Sequence, residues 1–165
     1  MSEALVASHP ASLLTLPWRD PHAASVVAIA AYIASLEQAC LEHPSSADLR
    51  TALGIAHAVN HDVYKSMDAL EAAVSLDPEN FWANYKYAEL HYRLRILTRA
   101  EELTVTALNL ATNNWQLAIA RKQLLEIRTA SRGAARNLSW KMPILGPVLG
   151  FSATLLVVAA AFMWM

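Results

Sequence analysis

Apolar residues recur at the spacing of a buried helix face through most of this chain, and the pattern is interrupted by prolines, serines and asparagines. Val26, Ile29, Ile33, Leu36 and Cys40 fall at helical intervals and predict a helix over 22–43, stopped by Pro44 and two serines. Leu49, Leu53 and Ala56 share one face of a second helix over 47–60, with Ser46 as its N-cap. His61 and Asp62 form a turn, and a third helix runs over 63–76 until Pro78 prevents its continuation. The arrangement then returns as helices over 81–94 and 98–110, joined by a turn near 95–97. Beyond Asn113 and Asn114 a last amphipathic helix spans 115–130. Residues 1–21 differ: Leu13 to Trp18 is apolar, but Pro10, Pro17 and Pro21 break any helix and predict an extended arm.

The return has a fixed period of 34 residues. Ala39, Ala73 and Ala107 form one series, Leu36, Leu70 and Thr104 a second, and Pro44 and Pro78 a third, with Thr112 where another proline would fall. Such a period marks a solenoid of helix–turn–helix units. Residues 47–78 resemble a tetratricopeptide repeat. Leu53 and Gly54 stand at that family's Leu-Gly pair, Ser66 at its small helix-crossing position, and Leu70, Ala73 and Pro78 at later packing and terminating positions. Residues 81–112 resemble a second copy, with Tyr87, Ala88, Ala100 and Ala107 in the packing roles. Two departures stand out: Arg50 and Asn84 replace the early aromatic, and the unit before Pro44 is only half present.

The resemblance implies an all-α domain over 22–130: a short solenoid of two full repeats, a half repeat and a capping helix, with one concave groove. Because each unit exposes a face to its neighbour, the first and last helices must cap the ends. In tetratricopeptide arrays the first helix of each unit lines the groove and takes protein ligands. Carried over, that face comprises Thr51, Ile55 and Ala58, then Trp82, Tyr85, Lys86, Glu89, Tyr92 and Arg93, then Ile119 and Gln123. Trp82, Tyr85 and Tyr92 make one helical stripe, and aromatics beside an arginine are what interface hot spots use. The same rings serve equally to pack neighbouring repeats. Grooves that clamp a chaperone's C-terminal carboxylate use lysine and asparagine. Here those positions read Thr51, Ile55, Lys86, Gln116 and Ala120, and only Lys86 suits that task.

Composition adds a second element. The chain is 55% hydrophobic and 16% charged over 165 residues, and the excess lies in 142–165, which carry no charge. As a helix this run is about 36 Å long at 1.5 Å per residue, enough to cross a hydrocarbon core of about 30 Å with some tilt. Trp140 and Trp164 bracket it as aromatic belts do, while Pro143, Gly146, Pro147 and Gly150 move its regular start toward Val148. The expectation is a tail anchor, following a basic linker over 131–141. Arg132, Arg136 and Lys141 join Trp140 and Trp164 at the membrane interface, and the positive flank places the repeats in the cytoplasm. On that side the acceptor Asn137-Leu138-Ser139 stays unglycosylated. A buried helix in an oligomer is the alternative, but a 24-residue uncharged run is hard to bury in so small a domain. Gly146 and Gly150 form a small-xxx-small pair suited to contact with other transmembrane helices. No lysine or arginine precedes Arg19, so no secretory signal is expected.

Chemistry is sparse. A formal net charge of −1 gives no basic footprint for nucleic acid. Cys40 is the only cysteine and falls in an apolar series with Val74 and Leu108, a core position. His57 and His61 share a metal-like spacing, but His57 and His91 are 34 apart, and a structural role explains that recurrence without a metal. No glycine-rich phosphate loop and no nucleophile motif occurs, so neither an enzyme nor a cofactor is expected. The sequence thus points to a membrane-anchored interaction module, an adaptor or assembly factor on the cytoplasmic face. The alternative is a permanent subunit of a membrane complex, held by its span and by the arm over 1–21.

Overall fold

A computed structural model describes residues 25–137. Among them are six helices and no strand: α1 Val26–Glu42, α2 Ala47–Val59, α3 Val63–Leu76, α4 Phe81–Arg93, α5 Leu97–Leu110 and α6 Asn114–Asn137. The chain divides into two units between Ser131 and Arg132, and of the second only the end of α6 is described. The expected arm over 1–21 and the expected span over 142–165, with Trp140, Lys141 and Trp164, lie outside the described residues. Within the described residues no helix is long and apolar enough to cross a membrane. The last helix is longer than its apolar pattern suggests, continuing to Asn137 rather than ending near residue 130. Nothing there breaks it, since neither proline nor a left-handed residue intervenes.

Side-chain caps begin most of these helices. Ser25, Ser46, Asp62 and Asn80 accept from the backbone N–H groups of Ala28, Leu49, Lys65 and Ala83, removing orphan donors of the first turns. Ile96 precedes α5 with no such bond, although it stands 34 residues after Asp62. Ile96→Asp is therefore expected to raise stability by about 1 kcal/mol, and an unchanged urea midpoint would refute it. The two inner turns repeat as well: His61 and Arg95 both adopt left-handed φ, near 62° and 63°. The N–H groups of Asp62 and Ile96 then reach back to the carbonyls of His57 and His91, each at 2.9 Å.

Within the hairpins α2/α3 and α4/α5 the helices cross on small residues. Gly54 lies against Leu70, and Ser66 Oγ donates to Gly54 O at 2.8 Å. Ala88 and Ala100 hold the corresponding places in the second hairpin and are fully buried. The hairpins are joined by polar bridges: Asn80 Nδ2 donates to Asp48 Oδ1 at 2.7 Å. The buried Asn84, where an aromatic was the family expectation, donates instead to Pro78 O and Asn80 O. α1 packs on α2 through Leu36, Ile33 and Cys40. Burial pushes the Cys40 thiol above its usual value, against a partial opposing pull from Arg50, as suits a core position.

α6 ends the stack. It stands 68 residues after α2, but Arg121 and Lys122 replace the Leu53-Gly54 and Tyr87-Ala88 pairs of the complete units, and both are exposed. Its inner side, with Ala120 and Ile127 fully buried, faces the cluster around Phe81 and Ala107. A polar outer face on a terminal helix is what a repeat array needs to stay soluble.

The recurring histidines are core residues. His57 is 4% and His91 7% exposed, and among the described residues His57 Nδ1 and both nitrogens of His91 have no hydrogen-bond partner. Burial lowers the pKa of each; Asp62 partly opposes this at His57, while Arg99 adds to it at His91. Unfolding raises both values toward about 6.5, so below that pH the unfolded chain binds the extra protons. Stability from these groups is full above about pH 6.5 and is lost as the pH falls through the lowered folded values. Melting temperature is expected to drop between pH 7.5 and 5.5, and His91→Phe should flatten that slope; parallel slopes would contradict this origin.

Candidate functional site

A hollow of about 350 Å³ lies between α4 and α6. From α4 come Tyr85, Glu89, Tyr92 and Arg93, one helical face with members three or four apart. From α6 come Ile119, Lys122, Gln123 and Glu126, likewise one face. Bulk explains why the hollow is here. α2 and α4 pack in direct contact, and α2 presents the smaller Thr51 and Ala58 where α4 has Tyr85 and Tyr92. Between α4 and α6 the large side chains hold the two backbones apart.

Six of the residues expected from the repeat pattern meet in this hollow: Tyr85, Glu89, Tyr92, Arg93, Ile119 and Gln123. The other five do not. Thr51 is 4% exposed and donates its hydroxyl to Ala47 O at 2.8 Å, so it offers a ligand no surface. Ile55 and Ala58 are half-buried on α2. Trp82 joins a ring cluster, edge-on to Phe81 at 5.1 Å and to Tyr85 at 6.0 Å, and 5.5 Å from Trp115. Lys86 lies over the Tyr85 ring, 5.5 Å from its centroid, and pairs with Glu89 at 2.9 Å. Of the expected membrane-interface residues, Arg132 is exposed on α6 and Arg136 lies in its last turn.

Lys122 and Glu126 belong to the hollow and were not among the expected groove residues. Glu126 was within reach of the pattern, since it follows Ala58 and Tyr92 at the same 34-residue interval. Lys122 was not: its counterparts Gly54 and Ala88 are buried, and it faces out because no described helix pairs with α6 as α3 and α5 pair with α2 and α4.

The electrostatics of the two walls differ. On α4, burial alone would raise the Glu89 pKa, but Lys86 and Arg93, at 2.9 and 2.6 Å, outweigh it and hold the carboxyl below its ordinary value. On that wall one carboxylate is shared by two cations, which leaves the wall a net charge of +1. Burial, then Glu89 and Glu126, push the Tyr85 phenol upward, so it stays protonated. On α6, Gln123 is 5% exposed; its Nε2 donates to Tyr85 O at 3.4 Å, while Oε1 has no partner among the described residues. The amide orientation is set by chemistry, because a carbonyl only accepts. A buried acceptor left unpaired costs about 1–3 kcal/mol. Among the described residues no group of three His, Cys, Asp or Glu is placed to hold a metal ion.

No protein-family model matches the chain, and no curated protein matches it. Solved structures do. The first tetratricopeptide domain of Spaghetti (RPAP3), bound to the HSP90 peptide SRMEEVD, is 19% identical with a TM-score of 0.57, covering 63% of this chain and 80% of that one. The first tetratricopeptide domain of human RPAP3 is 20% identical with a TM-score of 0.58, covering 68% and 84%. At such identity the likeness is one of fold. The described helices thus form a tetratricopeptide-like solenoid.

Proposed function

We propose that this chain is a protein-interaction module that holds a segment of a partner protein in the hollow between α4 and α6. The observation that carries the proposal is the hollow's composition: two tyrosines, an arginine and an isoleucine are left partly open on facing helices. Rings beside arginine are the residue types that dominate interface energetics. The likeness to a domain solved with a bound HSP90 peptide supports the same kind of use.

A chaperone tail is not the proposed ligand, because a terminal carboxylate needs free donors. The Thr51 hydroxyl is committed to Ala47 O, and Ala120 is fully buried and has no side-chain donor. Lys86 is paired with Glu89. The uncharged run over 142–165 and the basic residues before it support a tail anchor, with the module on the cytoplasmic side as an adaptor. No nucleic acid or cofactor enters this reading. With a photo-crosslinking amino acid at Tyr92 in the full chain, native membranes should yield one dominant protein adduct. A control at exposed Tyr64 should not yield it. Equal products from both positions would remove the hollow from consideration.

One observation favours a permanent subunit of a membrane complex. On α1, Val26 and Val27 are 74% and 78% exposed, and Ala31 and Ala34 stand where α3 has Lys65 and Asp68 and α5 has Arg99 and Glu102. That face lacks the charge its equivalents present to water. After gentle solubilisation, co-migration with a fixed stoichiometric partner on a sizing column supports this second reading, and migration as a free monomer supports the adaptor.

A further inference from the structure

Resting on that reading of the hollow, we infer that the segment it holds is extended and carries an acidic and a basic side chain two residues apart. The three charges of the α4 wall are already engaged with one another, Glu89 being held between Lys86 and Arg93, and they leave only a net +1 there. On the α6 wall Lys122 and Glu126 line the same hollow and, among the described residues, neither takes part in an ion pair. Four residues apart on a helix, they are separated by about 6 Å along its axis. Side chains on one side of an extended chain repeat every two residues, about 6.6–6.8 Å. The two spacings match, so a carboxylate opposite Lys122 sets a cation opposite Glu126.

A helical ligand also places charges about 6 Å apart, at positions four residues apart. Gln123 decides between the two. It lies between Lys122 and Glu126 in sequence, it is 5% exposed, and its Oε1 has no partner among the described residues. The missing partner is an N–H donor. An extended segment has free main-chain N–H groups, whereas a helix has committed its own. The single 3.4 Å bond to Tyr85 O leaves the Gln123 side chain able to turn toward such a donor. The track also continues: a second hollow of about 410 Å³ shares Tyr92 and Glu126 with the first and runs past Leu125 and Thr129. An elongated ligand fits this shape better than a compact one.

The test uses the full chain in mild detergent, selected against a random library of dodecapeptides with acetylated and amidated ends. The retained pool should be enriched about tenfold in pairs of acid and base at a spacing of two. The double variant Lys122→Glu, Glu126→Lys should invert the order of that pair. Gln123→Met should reduce retention at least several-fold while raising the melting temperature by a few degrees, because it removes an unpaired buried acceptor; a purely structural glutamine would lower it. Enrichment at a spacing of four, enrichment without charge, or no enrichment overturns the inference. If the Tyr92 adduct persists under any of those results, the hollow still binds protein and only the ligand class is wrong; if the adduct is also absent, both fall.

Discussion

Phe81→Ala is expected to remove about 3–5 kcal/mol of stability and to disperse the hollow with it. The ring is 6% exposed, stacked on Tyr85 at 5.7 Å and edge-on to Trp82 at 5.1 Å. Its cluster partners across the helices are Ala107 on α5 and Ala120 on α6, both fully buried and too small to fill the space a missing ring leaves. α6 is attached through such side chains and through Arg128 to Glu101 at 2.7 Å, rather than by close backbone packing. Losing the ring therefore loosens one wall of the hollow as well as the core. A domain of this size holds about 5–15 kcal/mol in total, so the change is a large fraction. Urea denaturation gives the loss, and fluorescence of Trp82 and Trp115 reports whether α6 stays seated. A loss below about 1 kcal/mol would show that this cluster does not anchor the helix.

Gly54→Val is the second large effect, expected to cost about 3 kcal/mol. A Cβ at this position would meet Leu70 Cγ at 2.5 Å, Leu70 Cδ2 at 2.9 Å and the Leu70 backbone nitrogen at 3.3 Å. The leucine tip can turn away, but the backbone cannot, so α2 and α3 must separate. Separation also strains the 2.8 Å bond from Ser66 Oγ to Gly54 O, which closes the same crossing. Leu70→Ala alone costs about 2–5 kcal/mol by leaving a cavity. Combined with Gly54→Val it should cost less than the sum by at least about 1 kcal/mol, since each change relieves the other. Strict additivity in the double variant would mean that the crossing tolerates the methyl groups by another route.

The fold was largely legible because its determinants are local and periodic. Leu36, Leu70 and the alanines 34 residues apart are buried because the same helix-crossing geometry recurs around each of them. The N-cap at Ser46 and the stop at Pro78 follow from single residues. The hollow was only half legible. Tyr85, Tyr92 and Gln123 follow the period, but Thr51 turned inward to its own backbone and Trp82 into a ring cluster, choices made by packing rather than by spacing. Lys122 was invisible for a different reason. Its repeat position is a buried one, and Lys122 is exposed only because no described helix pairs with α6 there.

That end of the array sets how copies of the molecule behave toward one another. In the complete units the positions of Leu53 and Gly54 are covered by the second helix of the same hairpin, whereas an apolar pair left uncovered at the end of an array offers a head-to-tail contact that need not close on itself. On α6 such a contact is opposed by two adjacent cations, Arg121 and Lys122, which would have to leave water before another copy could stack there. Arg121→Leu with Lys122→Gly should therefore raise the tendency of copies to associate, which light scattering of the purified chain would register.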